Sequence, residues 1–132
     1  MQNKRKLVLA IDFDGTIVSN EYPQIGTLLP NAKYVINKLF YEYNCEIIVW
    51  TCRQGQYKDN VKQFLIEQKI PFTCINENTP AILKRWNNCD CRKVFADFYI
   101  DDKGIFTPAN LDWMEILEKI AKYKITYFNK FL

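Results

Sequence analysis

Asp12-Phe13-Asp14-Gly15-Thr16 follows directly on the apolar run Leu7-Val8-Leu9-Ala10-Ile11, and this junction is where the chain can do chemistry. Two carboxylates at i and i+2 project to the same side of an extended backbone, close enough to share a metal or to divide nucleophilic and proton-transfer work. Gly15 permits the sharp turn that must follow, since glycine alone reaches positive φ at little cost. The competing reading, a plain tight turn at Asp14-Gly15 between two strands, leaves Asp12, Thr16 and the apolar lead-in without a purpose. Two further acids, Asp101-Asp102, close the segment Phe98-Tyr99-Ile100, and Thr51 closes Ile47-Ile48-Val49-Trp50. The sequence contains no histidine. Serine-histidine and cysteine-histidine mechanisms are therefore excluded, and acid-base work falls to carboxylates.

These residues need elements to hold them. Five apolar residues running into a carboxylate read as a buried parallel strand, whose carboxyl end is where open α/β sheets place their sites. Residues 17–29 read as loop or a small flap. Pro30 suits a first helical turn, and Ala32, Val35, Ile36, Leu39, Phe40 and Tyr43 recur at helical spacing, which predicts a helix over residues 30–43. Residues 46–51 predict a second strand, and Tyr57, Val61, Phe64 and Leu65 mark the next helix. Residues 72–75 suit a third strand, residues 80–86 a short helix and residues 98–100 a fourth strand. Asn110 is the expected cap of a last helix carrying Leu111, Met114, Leu117 and Ile120. Strands alternating with helices predict an α/β fold with a mostly parallel sheet covered on both faces and right-handed crossovers. Such a sheet brings Asp12 with Asp14, Thr51, and Asp101 with Asp102 to one edge.

Composition sets the frame. A chain of 132 residues with 48% apolar and 15% aromatic content suits one well-built domain. No apolar run is long enough to cross a bilayer. Lys4-Arg5-Lys6 precedes only five apolar residues and then Asp12, so it reads as a solvated strand entry and not as a secretory signal; the expectation is a cytoplasmic protein. A net charge of +3, from 18 basic and 15 acidic residues, is too mild to indicate nucleic-acid binding. Cys45, Cys52, Cys74, Cys89 and Cys91 lack paired zinc spacing and read as reduced thiols, with Cys45 and Cys74 in strands and Cys52 packed beside the site. Tyr123, Tyr127, Phe128 and Phe131 read as packing on the body, with a homodimer through them as the alternative to a monomer.

In their order, the motifs closely resemble the haloacid dehalogenase-like superfamily. Its phosphatases carry an apolar strand ending DxDGT, a strand ending in threonine or serine, a lysine, and a strand ending in paired acids. Here these are Ile11-Asp12-Phe13-Asp14-Gly15-Thr16, Val49-Trp50-Thr51, a basic residue near position 93, and Tyr99-Ile100-Asp101-Asp102. The resemblance spans almost the whole chain and implies a three-layer α/β/α Rossmann-like domain. It makes Asp12 the nucleophile that accepts the phosphoryl group, and Asp14 the acid that protonates the leaving oxygen and then takes a proton from water. Mg²⁺ would be held by Asp12, the main-chain carbonyl of Asp14, and Asp102, with Asp101 and Thr16 outside the ligand set and fixing it. Thr51 would donate its hydroxyl to a phosphoryl oxygen.

The lysine position fits Lys93, with Arg92 and Lys84 as competitors. Arg53 could fork onto a phosphate or substrate carboxylate, or be a surface arginine flanking a helix. Larger relatives insert a cap domain, for which residues 17–29 and 54–92 leave no room, so the expectation is an open, capless site shielded by a flap with Glu21, Tyr22 and Pro23. The function this implies is a Mg²⁺-dependent phosphatase acting on a small phosphomonoester. Alternatives are a phosphatase of polynucleotide ends or phosphoproteins, and a signalling module that keeps the phosphoryl group. Asp14 argues against the last, since an acid-base group beside the nucleophile promotes release.

Overall fold

A computed structural model describes residues 5–108 and 110–128. Four strands are laid down in the order β1 (Val8–Ile11), β2 (Glu46–Val49), β3 (Cys74–Ile75) and β4 (Phe98–Ile100). Between and after them run α1 (Ala32–Tyr41), α2 (Gly55–Glu67), α3 (Pro80–Arg85) and α4 (Trp113–Tyr123), the last continued by a π-helical turn, Lys124–Phe128. All strand pairs are parallel, in the order β3-β2-β1-β4. The chain is thus an α/β protein, and β1 lies inside the sheet with all four residues buried.

Alternation along the strands divides the core. Leu7, Leu9, Ile11, Ile47 and Val49 join Val35, Ile36 and Leu39 of α1, Val61 and Leu65 of α2, and Trp113, Leu117 and Ile120 of α4 in one apolar cluster. Val8, Ala10, Ile48 and Cys74 face the other way, against Ile82 of α3 with Val94 and Ala96. A strand apolar on both faces needs such cover, which is why Leu7 to Ile11 is a continuous apolar run.

Several boundaries differ from the sequence expectation. The first helix starts at Ala32, two residues after Pro30, behind Asn31 at φ 65. The third strand shrinks to two residues. Asn110 does not cap the last helix: the Asp112 carboxylate accepts from the amides of Met114 and Glu115, which leaves Leu111 ahead of the helix. Both residues are good caps by type, and only the one adjoining Trp113 can reach the free N–H groups.

Arg5, partly exposed, is ion-paired and not merely solvated. Its guanidinium forks onto Asp97 at 2.8 and 2.7 Å, and Asp97 also accepts the amide of Val8, so this pair pins the start of β1 beside β4. Lys6 is exposed, and Lys4 lies outside the described residues. Cys45 and Cys74 are buried, and burial pushes their thiols up to about 11 and about 12. Cys52 is exposed, contrary to the packed position expected for it. Tyr123 packs edge-on against Phe98 at 4.9 Å, as expected for the aromatic end; the Tyr127 and Phe128 side chains and the whole of Phe131 lie outside the described residues. Among the described residues no helix is long and apolar enough to cross a membrane.

Candidate active site: carboxylates at the strand ends

Because all four strands run the same way, Asp12 after β1, Thr51 after β2 and Asp101-Asp102 after β4 emerge on one edge of the sheet. The Asp12 amide continues the ladder by donating to the Ile100 carbonyl at 2.9 Å, which sets the first carboxylate beside the last pair. Carboxylate oxygens of Asp12, Asp101 and Asp102 all lie within 4.8 Å of one another. Asp101 is one of the three, and its Oδ1 accepts the Lys103 amide at 2.9 Å. The Asp14 side chain, in contrast, turns away to Arg53.

Thr16 ties the cluster together. Its buried hydroxyl lies 3.1 Å from Asp12 Oδ2 and 3.3 Å from Asp102 Oδ1, and it accepts the Asp102 amide at 3.1 Å. A hydroxyl has one proton, so it can satisfy only one of the two carboxylates at a time. Burial pushes the Asp12 carboxyl up to about 7, with the Asp101 charge and contact with Asp102 adding to the rise and Thr16 opposing it. Three carboxylates, Asp101 and Asp102 crowded against the half-buried Asp12, form a set of hard oxygen donors that fits Mg²⁺, whose charge would offset their mutual repulsion.

Gly15 is required where it stands. At φ +87 its missing Cβ would lie 2.8 Å from Asp102 Cγ and closer still to Oδ2. Trp113 seals the turn from the opposite side. The first residue of α4, it is 1% exposed, and its indole N–H donates to the Thr16 carbonyl at 2.8 Å.

Thr51 is bracketed by Asn76, whose side chain accepts the Thr51 amide at 2.8 Å and donates to the Thr51 carbonyl at 2.9 Å. Its hydroxyl accepts the Arg53 amide at 3.1 Å, which keeps the hydroxyl proton for another acceptor. Arg53 itself is neither a surface arginine nor open to a ligand. The residue is 2% exposed, and Nε and Nη2 donate to the two Asp14 oxygens at 2.8 Å each. Nη1 and Nη2 also donate to the carbonyls of Pro23 and Gln24, at 2.9 and 2.8 Å.

The basic candidates near residue 93 are not drawn into the cluster in the same way. Lys93 is exposed, with Nζ 5.4 Å from the centre of the Tyr99 ring, and it is not among the groups that act most strongly on Asp12. Lys84 on α3 and Arg92 are exposed as well. Beside Asp101 a cavity of about 380 Å³ is lined by Ile105, Phe106, Pro108, Leu111 and Ile116.

Sequence reasoning missed three of these parts: Trp113, Asn76 and the pairing of Asp14 with Arg53. Only the last left a signal, an arginine two residues past a strand-end threonine. The other two act through a main-chain carbonyl and amide, which the sequence does not display.

A parallel α/β sheet with carboxylates grouped at its carboxyl edge is the class of protein defined here. The chain is similar over 96% of its length, and over 98% of the other chain, to a solved structure described as that of a conserved protein from Bacteroides thetaiotaomicron, with 30% identity and a TM-score of 0.76. It belongs to the same family as that conserved protein. No family model matches the sequence, and no curated protein matches it.

Proposed function

We propose that the protein is a capless phosphatase of the haloacid dehalogenase-like superfamily, a single three-layer α/β/α Rossmann-like domain that hydrolyses a small phosphomonoester through an aspartyl-phosphate on Asp12. The observation that carries this reading is the grouping of Asp12, Asp101 and Asp102 at one edge, with the Asp12 carboxyl pushed up by burial and by its acidic neighbours. The flap between Ser19 and Thr27 is too short for a cap domain, which suits an open site.

Attack by an Asp12 oxygen on phosphorus forms one P–O bond as the bond to the leaving oxygen breaks. Asp14 hands a proton to that oxygen. Water then attacks phosphorus, Asp14 recovers a proton from it, and the bond to Asp12 breaks. Thr51, its hydroxyl proton free, holds a phosphoryl oxygen in line. Asp12, Asp102 and the Asp14 carbonyl, with Asp101 beside them, would hold Mg²⁺, which would supply positive charge to offset repulsion between carboxylate and phosphate. Lys93 adds to that neutralisation by swinging off the Tyr99 ring toward the phosphoryl group.

Hydrolysis of 4-nitrophenyl phosphate tests the reading. Turnover should depend on Mg²⁺, stop with a chelator, and fall by at least about 10³-fold in Asp12→Asn. Activity that survives both chelation and Asp12→Asn would overturn it.

A further inference from the structure

The proton-transfer carboxylate and the flap over the site are joined by one side chain. We infer that Arg53 is a positioning residue, which fixes the plane of the Asp14 carboxylate and ties it to the flap so that the two move as one unit. The inference rests on the phosphatase reading for its effect on turnover, but not for the mechanical coupling.

A guanidinium offers five N–H groups in a rigid fork. Four contacts of Arg53 are already made, two to Asp14 and one each to the carbonyls of Pro23 and Gln24. Its side chain is 1% exposed. The Tyr22 ring lies 4.9 Å from the guanidinium carbon and the Phe13 ring 5.8 Å from it, so aromatic groups cover it as well. Turning this cation to a phosphate would break four hydrogen bonds at once, two of them to a carboxylate, and would require a side chain that is 1% exposed to leave its place. The fork therefore serves Asp14 and not the substrate.

Two parallel N–H···O bonds define the orientation of the carboxylate plane, which a single bond does not. Each Asp14 oxygen retains a lone pair, and fixing the carboxylate plane fixes the direction of each, so that one can exchange a proton with the leaving oxygen or the attacking water. The flap is a short hairpin: Val18 pairs with Leu28, Ser19 donates to the Thr27 carbonyl at 2.8 Å, and the Leu29 amide donates to Ile17 at 2.9 Å. Its tip at Pro23 and Gln24 hangs on Arg53. Since the Arg53 amide also donates to the Thr51 hydroxyl, the clamp is rooted at the residue proposed to hold the phosphoryl group.

Three forms of the protein decide the matter: wild type, Arg53→Lys and Asp14→Asn. Lysine keeps the charge but loses the fork, and asparagine keeps only one carbonyl acceptor. Amide hydrogen exchange at Ser19 and Thr27, referred to the β1 amides, should quicken by about tenfold or more in both variants. In Arg53→Lys, kcat for 4-nitrophenyl phosphate should drop by about 10²-fold, while KM and the inhibition constant of inorganic phosphate stay within about threefold. A phosphate inhibition constant that weakens in step with kcat would make Arg53 a phosphate ligand and overturn the inference. So would flap exchange in Asp14→Asn that matches wild type. If wild type hydrolyses no ester, the phosphatase reading falls and the exchange measurement still decides the coupling; if Arg53→Lys does not fold, Asp14→Asn decides it alone.

Discussion

Asp12 concentrates the conflict on which the site is built. It is half-buried, its neighbours are acids, and its carboxyl is pushed up to about 7 from an ordinary value of 3.8, burial being the largest cause. A carboxyl raised in the folded protein favours folding while it is protonated. That contribution is complete below about pH 4 and is lost as the pH climbs through about 7. In chelating buffer the melting temperature should therefore fall between about pH 5 and pH 8, and Asp12→Asn, which cannot ionise, should lack this part of the decline and melt above wild type at pH 8. Adding Mg²⁺ at pH 8 should raise the wild-type melting temperature and leave Asp12→Asn nearly unmoved. A flat wild-type profile would mean that neither burial nor the neighbouring acids raise the Asp12 carboxyl. Gly15 belongs to the same scale: Gly15→Ala faces both a positive φ and the Asp102 carboxylate, so it should cost at least about 1 kcal/mol in urea unfolding and disturb the acid cluster.

At the scale of elements, the existence and order of the four strands were legible where the local signal and the tertiary demand agree, while β2 stops two residues before the expected Thr51 and β3 keeps only two residues. Val8 to Ile11 is buried on both faces and reads as an unbroken apolar run, while Phe98–Ile100 is short yet delimited by its acids. The helix start was not legible in the same way, because Asn110 and Asp112 are both capping types and only the three-dimensional path selects Asp112. Asp112→Ala should lower stability by about 1 kcal/mol, while Asn110→Ala should change it by less than half of that. Trp113 was invisible as a site component, since a tryptophan on an amphipathic helix advertises only core. Its N–H meets a buried carbonyl of the very turn that carries Thr16. Trp113→Phe leaves that carbonyl without its donor, so it should cost about 1–3 kcal/mol by urea titration and lower activity by loosening the turn. Arg53 was legible as an unusual residue but not in its direction. Nothing in the linear chain says that the flap carbonyls and Asp14 converge on it.

For the whole molecule, the parallel sheet acts as a collector. Three strand ends far apart in sequence, after Ile11, Val49 and Ile100, come to one edge, and an apolar cluster packs each face of the sheet behind it. Rigidity matters to the proposed chemistry, because attack by Asp12 and proton transfer by Asp14 would both need positions fixed to a fraction of an ångström. The flap is tied to this edge through Arg53, which holds Asp14 as well as the carbonyls of Pro23 and Gln24. The central claim is that Asp12 receives the phosphoryl group, and acid-quenched single turnover with 4-nitrophenyl phosphate and Mg²⁺, followed by peptide mass spectrometry, tests it most directly. The account predicts the added mass of one phosphoryl group on the peptide containing Asp12, lost in Asp12→Asn and prolonged in Asp14→Asn. A phosphoryl group carried by a different residue, or unimpaired turnover in Asp12→Asn, would contradict it.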